Sequence, residues 1–430
     1  MKPPAPASRR AVLAGLLLAP GCTDIATPRA EAFTFQGGIG RNPGGPNLAR
    51  YTDATGRIPR ANQSSWWSAQ YSVEGFSRLD EIFPANISPA PPRPSPWARA
   101  AAEPAITYDG VAALGAGRFS LDGYLARNPT TGLLIARRGE ILAERYQYGR
   151  QPTHRLTSFS MAKTLVALLV GLALEDGSLS SIEQPAEAVV PELRGTEYGA
   201  TPLRHLLTMS SGVAFREDYD GSDDSSRLSR LTFIGQSAGG AAVPPQFNRR
   251  VAPPGQRWNY ASAETFVLAL VLRRALGRPL AGYFAEKIWQ PLGAEADASW
   301  LVDRSGLEIG YMGFNATLRD YARLGMMLAQ GGQAGGRQLV PAAWLAEMTR
   351  PHFSGDQTGR WFGYGFQTWI FPEANAGFAL LGVRGQALFV EPRRQLVLVH
   401  TAVRPGARGD PGGADLTALW RGLRRGMPLG

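Results

Sequence analysis

The chain is 430 residues long, 44% hydrophobic and 19% charged, the make-up of a folded protein with one large or two to three average domains. Its formal net charge is +10, but the arginines are scattered, and no Lys/Arg block of the kind that grips nucleic acid is present. A single cysteine, Cys22, excludes an internal disulfide and a CxxC centre, and four histidines without HExxH or HxH spacing argue against a metal; no cofactor is implied.

Residues 1–22 read as an export signal. Arg9-Arg10 precede the apolar run Ala11–Pro20, which is too short to span a bilayer and fits the twin-arginine route. The run ends Ala19-Pro20-Gly21-Cys22, a lipobox-like boundary at which the Cys22 thiol would be lipidated. The expectation is an exported bacterial protein, periplasmic or held at the membrane by Cys22 alone. An ordinary signal peptide with an incidental cysteine is the alternative.

Residues 23–120 form a Pro/Gly-rich extension, irregular in pattern. Within it, Ser65-Trp66-Trp67 and the stretch 76–83 are apolar enough to dock on the body of the protein. From 121 to about 405 the pattern is compact. Leu133–Ala136 and Ile141–Glu144 read as a hairpin, and Ser160 to Asp176 as a buried helix ended by Gly177. Residues 185–330 read as a mostly helical insert, clearest at Pro202–Met209, Glu264–Leu276, Leu280–Ile288 and Leu318–Gln330. Strands return at Gly363–Phe371, Gly377–Leu381, Ala387–Val390 and Gln395–Ala402, and 406–430 is a tail with room for a short helix. Strands at both ends with helices between predict a three-layer α+β fold: an antiparallel sheet built from both termini, flanked by helices.

The chain has only three lysines, Lys2, Lys163 and Lys287. Lys163 stands three residues after Ser160, one turn along the predicted helix, so both lie on one face. Arginine cannot release its proton in a protein, whereas a buried lysine can and then serve as base for a serine. Ser160 at the helix start also meets unpaired backbone N–H groups that can stabilise an oxyanion. A second element is Tyr260-Ala261-Ser262; none of the other twelve tyrosines begins a Tyr-x-Ser or Tyr-x-Asn triplet. A phenol beside a lysine can shuttle protons. A third is Leu381-Gly382-Val383-Arg384-Gly385-Gln386, whose glycines permit close approach of backbone.

A rival nucleophile is Ser237, in the literal G-x-S-x-G of Gly235–Gly239, after a candidate strand at Leu231–Ile234 and with His352 and His400 downstream. The glycines and prolines that follow would break the helix such a serine must open.

In order, Ser-x-x-Lys, Tyr-x-Ser and a late Gly-rich strand resemble the serine β-lactamase and penicillin-binding-protein superfamily. The tyrosine makes the chain similar to its class C-like branch, with related esterases and amidases. Thr201–Gly212 resembles that group's "TxxHLLTxxSG" stretch. Ser160–Lys163, Glu217–Asp220 and Gly385-Gln386 resemble the 6-aminohexanoate-dimer hydrolase branch. The resemblance implies Ser160 as acylated nucleophile, Lys163 as general base and Tyr260 as proton shuttle, with the N–H groups of Ser160 and Val383 as oxyanion hole. It implies substrate contacts at Tyr219, Ser262, Gly382, Gly385 and Gln386. Penicillin-recognising members carry a cation in the third motif where this chain has Leu380. The resemblance therefore implies hydrolysis of a small ester or amide. Two alternatives stay open: a β-lactamase or D,D-peptidase acting on peptidoglycan-like amides, and a non-catalytic envelope sensor.

Overall fold

The strand patterns at both ends of the chain combine in one ten-stranded sheet. The computed structural model describes residues 33–112, 115 and 117–429, so the expected export segment and Cys22 lie outside the described residues. In chain order the strands are β1 (Thr34–Gln36), β2 (Ile39–Arg41), β3 (Ala98–Arg99), β4 (Thr130–Arg137), β5 (Glu140–Tyr146), β6 (Gly363–Tyr364), β7 (Trp369–Ile370), β8 (Phe378–Gly382), β9 (Gln386–Glu391) and β10 (Leu396–Ala402). Their spatial order is β1-β2-β5-β4-β10-β9-β8-β7-β6, with β3 also on β5.

From β5 to β6 every join is antiparallel. The N-terminal extension changes the rest. β2 and β3 both run parallel to β5, pairing Gly40 with Arg145 and Ala98 with Glu140, so they lie end to end along its outer edge. The sheet is therefore mixed, and the extension covers what would be an open edge.

Alternation along the strands sorts side chains between two buried faces. Leu134, Val397, Val399 and Leu388 join one core, while Leu133, Ile135, Leu398 and Phe389 join the other. Because both faces are covered, the strands read as continuous apolar runs in sequence. The principal helices are α1 (Ala162–Glu175), α2 (Leu203–Leu207), α3 (Ser262–Leu276), α4 (Leu318–Ala329) and α5 (Pro411–Gly426). The first core holds α1, α3 and α4, and the second holds α5 through Leu416, Leu419 and the fully buried Trp420. The last segment is thus a 16-residue helix that closes the third layer, not a short one.

Three local expectations differ. Leu231–Ile234 is a π-helical turn within Arg230–Ile234, not a strand. Gly363–Phe371 splits into the hairpin β6–β7, with Gln367 at φ 49 between its halves. The helical insert also gives two strands, Ala298–Leu301 and Phe314–Ala316, to a small four-stranded sheet with Ala85–Ser88 and Leu156–Thr157. These short runs carry too few residues for a periodic signal.

Candidate active site

Residues Phe159–Met161 form a 3₁₀ turn that leads into α1, and Ser160 sits at its centre. Phe159 has φ 43, left-handed for a bulky side chain. Such a conformation costs about 1–3 kcal/mol and persists only where packing imposes it. Here the Phe159 ring meets Phe76 edge-on at 4.9 Å and also packs on Trp66 and Trp67 of the N-terminal extension.

Lys163 lies one turn on, and its side chain points back toward the helix start, as long helical side chains do. Its Nζ donates to Ser160 Oγ at 2.9 Å, Ser262 Oγ at 3.1 Å and the Tyr311 carbonyl at 3.0 Å. All three acceptors are neutral and Lys163 is buried. Burial pushes its pKa from the ordinary 10.5 down to about 8, with Glu217 acting in the opposite direction. Lys287, in contrast, reaches Asp176 at 3.4 Å near the surface. The two lysines of the compact region therefore have different chemistry.

Tyr260 comes from the segment before α3, and its ring centroid is 4.9 Å from Lys163 Nζ. Burial, then Glu217, raise its phenol pKa, against a hydrogen bond with Ser160. The phenol therefore rests protonated while Lys163 titrates nearer neutrality. Ser262 opens α3, and Glu217 receives its backbone N–H at 2.7 Å and its hydroxyl at 2.8 Å. Tyr219 donates to the same carboxylate at 2.6 Å. Glu217 is buried. Sequence reasoning gave it no role although it stands two residues before Tyr219; its signal was the acidic group that a serine at a helix N-terminus can engage.

The turn at Ser210–Gly212 seats this second motif. Gly212 has φ +75, and a Cβ there would lie 1.8 Å from the Ala252 carbonyl, so no other residue fits without movement. Gly255 N–H bonds Ser210 O, and Asn259 N–H bonds Met209 O, both at 2.8 Å. Gln367 ties α1 and α3 together: its backbone carbonyl accepts from Thr164 of α1 and its side-chain oxygen from Thr265 of α3, each at 2.6 Å.

The third motif approaches from β8. A Cβ at Gly382 would stand 2.4 Å from Ser158 O, so glycine lets the strand end against the turn that carries Ser160. Val383 then lines the same cavity as Ser160, Ser262 and Tyr219. Gly382, Gly385 and Gln386 line a neighbouring cavity instead. The Gln386 side chain is buried, donating to the Val383 and Ala402 carbonyls and accepting from Ala402 N–H. Gly382, Gly385 and Gln386, expected to contact substrate, are thus not among the residues lining the cavity over Ser160, and Gln386 holds the Val383 carbonyl. Leu380 is buried in the core. Arg384, a candidate substitute cation, stacks over Trp67 at 4.3 Å and bonds the Pro405 carbonyl.

Ser237 has no partners for a triad. It is exposed, and only a three-residue turn, Gly240–Ala242, follows it. His352 stacks on Phe366, and His400 is buried against Tyr124, Thr130 and the Gly385 carbonyl.

The cavity over Ser160 has a volume of 370 Å³, and Trp66, Trp67, Phe159, Phe233 and Val383 form much of its wall. The two tryptophans were legible only as a docking segment; their place at the site depends on the fold.

The chain is similar to known hydrolases. The chain is 29% identical over 400 residues to the 6-aminohexanoate-dimer hydrolase of Paenarthrobacter ureafaciens, covering 90% of this chain and 96% of that protein. It is 32% identical over 180 residues to esterase EstB of Burkholderia gladioli, 37% of this chain and 44% of that one. A solved structure from Bacillus anthracis, provisionally named a 6-aminohexanoate-dimer hydrolase, shares the fold with a TM-score of 0.76 at 22% identity, over 85% of this chain and 98% of its own. A family model described as β-lactamase matches residues 121–419, the span that carries the serine, the lysine, the tyrosine and the Gly-rich strand. The chain therefore belongs to the β-lactamase family and is a serine hydrolase of that family.

Proposed function

We propose that the protein cleaves small esters or amides through an acyl-enzyme on Ser160. Neutral Lys163 takes the Ser160 proton as Oγ attacks the substrate carbonyl. The developing oxyanion is met by the Ser160 and Val383 N–H groups. Tyr260, resting as a protonated phenol, delivers a proton to the leaving group and is reprotonated through Lys163. Water then enters, the same groups run in reverse, and the acid is released. The observation that carries this reading is the 2.9 Å hydrogen bond between Lys163 Nζ and Ser160 Oγ inside a shell of neutral acceptors. The relatives named a 6-aminohexanoate-dimer hydrolase and an esterase support it.

A fluorophosphonate is expected to add once, at Ser160, by intact mass. No adduct, or one that survives Ser160→Ala, overturns the assignment. Lys163→Arg is expected to be nearly as inactive as Lys163→Ala, since Arg keeps the charge but cannot act as base. Leu380, buried in place of a cation, argues against β-lactam turnover, and nitrocefin is expected to react far more slowly than a p-nitrophenyl ester. A single burst of p-nitrophenol without a steady state would instead support the sensor reading.

We also propose export and lipidation at Cys22, from the leader pattern alone. Palmitate labelling lost in Cys22→Ser is the expected result, and labelling that persists refutes it.

A further inference from the structure

We propose that the cavity beside Ser160 is an acyl pocket for uncharged, apolar acyl groups of aryl or medium-chain size, with Trp66 and Trp67 of the N-terminal extension setting that selectivity. This rests on the acyl-enzyme reading above.

Both tryptophans precede residue 121, where the family match begins, yet both line the cavity that contains Ser160. They are held there by aromatic contacts: Trp66 on Phe83 and Phe233 at 5.8 Å each, and Trp67 on Phe159 at 5.7 Å. The Arg384 guanidinium covers Trp67 from another side. Rings fixed in this way lose little freedom when a substrate arrives.

Tyr260, the proton donor to the departing group, is not among the lining residues and packs instead on Trp369 at 5.4 Å. The leaving group must reach that phenol, so the cavity on the Trp66–Phe233 side receives the acyl portion. Its 370 Å³ is the share of roughly a dozen waters, room for a ring or a chain of several carbons.

The cavity has one carboxylate, Glu217, and it is already engaged by Ser262 and Tyr219. The other charged lining residue is Arg230, an exposed cation on the serine-rich part of the wall formed by Ser225, Ser226 and Ser229. An acyl chain ending in an ammonium would meet that cation and no free anion. An apolar acyl group would meet Trp, Phe and Ile234.

The test compares kcat/KM for p-nitrophenyl acetate, phenylacetate, octanoate and 6-aminohexanoate, with fluorophosphonate labelling of Ser160 run in parallel. Hydrophobic pockets discriminate by about tenfold or more per well-placed apolar group. The phenylacetyl and octanoyl esters are therefore expected to exceed the acetyl ester by at least about tenfold, and the 6-aminohexanoyl ester to fall below the octanoyl ester by about as much. Trp67→Leu is expected to lower the phenylacetyl-to-acetyl ratio about tenfold. Ile234→Glu, at an exposed position that does not endanger folding, is expected to lower the octanoyl-to-acetyl ratio. A wild-type preference for acetyl or 6-aminohexanoyl esters, or ratios unmoved by both variants, overturns the acyl-pocket assignment while the labelled Ser160 keeps the reaction assignment intact. Absence of both label and turnover overturns both.

Discussion

Replacing Glu217 by Gln probes the proton logic of the site. The carboxylate contacts Ser262 Oγ at 2.8 Å, and that hydroxyl accepts from Lys163 Nζ at 3.1 Å. The two charges therefore lie within about 6 Å, and at an effective dielectric of about 20 they attract by roughly 3 kcal/mol. That equals about two pKa units, less whatever solvent in the open cavity screens. Glu217 favours the charged lysine, so its removal lowers the Lys163 pKa from about 8. In the wild type, kcat/KM for an ester is expected to rise with pH and reach half its plateau near 8, the pH at which half of Lys163 is neutral. In Glu217→Gln the same limb moves to lower pH by about one to two units. The plateau falls too, because an amide cannot accept from the Ser262 N–H, the Ser262 hydroxyl and the Tyr219 hydroxyl as the carboxylate does. Initial rates followed in a pH-stat from about pH 6 to about pH 10 measure both effects. A wild-type profile flat through 8, or a limb that stays or moves upward in the variant, refutes the assignment of Lys163 as base and Glu217 as the charge that tunes it.

Burying an ammonium also costs stability. Because the folded pKa of Lys163 is about 8 against 10.5, the unfolded chain holds more protons between those values, and stability rises with pH across that window. Lys163→Met is expected to be inactive yet more stable at neutral pH by about 1–3 kcal/mol, a gain that fades as pH climbs from about 8 toward about 10.5, by urea denaturation. A gain independent of pH would sink that account. Gly382→Ala places a methyl group against Ser158 O, so kcat is expected to drop about 100-fold through displacement of the Val383 N–H, with KM changing less; unchanged kcat removes Val383 from the oxyanion site. Gln367→Ala removes the oxygen that accepts from Thr265 of α3 and the amide that donates to the Leu206 carbonyl, while the backbone bond from Thr164 of α1 stays. Losses of about 1–3 kcal/mol in thermal unfolding are expected, and no loss means the tie is redundant.

Much of this site was legible along the chain because its chemistry is local. Ser160 and Lys163 are one helical turn apart, so spacing alone puts them within reach, and the scarcity of lysine marked the pair. Tyr260 and Ser262 were legible as a motif, but their meeting with Lys163 depends on α3 packing against α1 through Gln367. Along the Gly-rich strand, only the fold says that Val383 lines the cavity over Ser160 while the Gln386 side chain is tied to the backbone of Val383 and Ala402. Glu217 stood only as part of a resembling stretch and had no role, because a buried carboxylate looks like any surface acid until its partners are known.

What the sequence determined by itself is the reaction core and the order of elements: apolar runs that must be buried on both faces, a helix that presents serine and lysine together, and a residue choice at position 163 that permits a neutral base. These follow from covalent spacing and side-chain chemistry, which need no third dimension. The tertiary structure decided the rest. It placed strands from the extension along β5, brought Trp66 and Trp67 over the serine, held Phe159 in a strained turn and buried Lys163 among neutral acceptors. Burial and long-range contact set those properties, and neither is a quantity that neighbouring residues in a chain can specify.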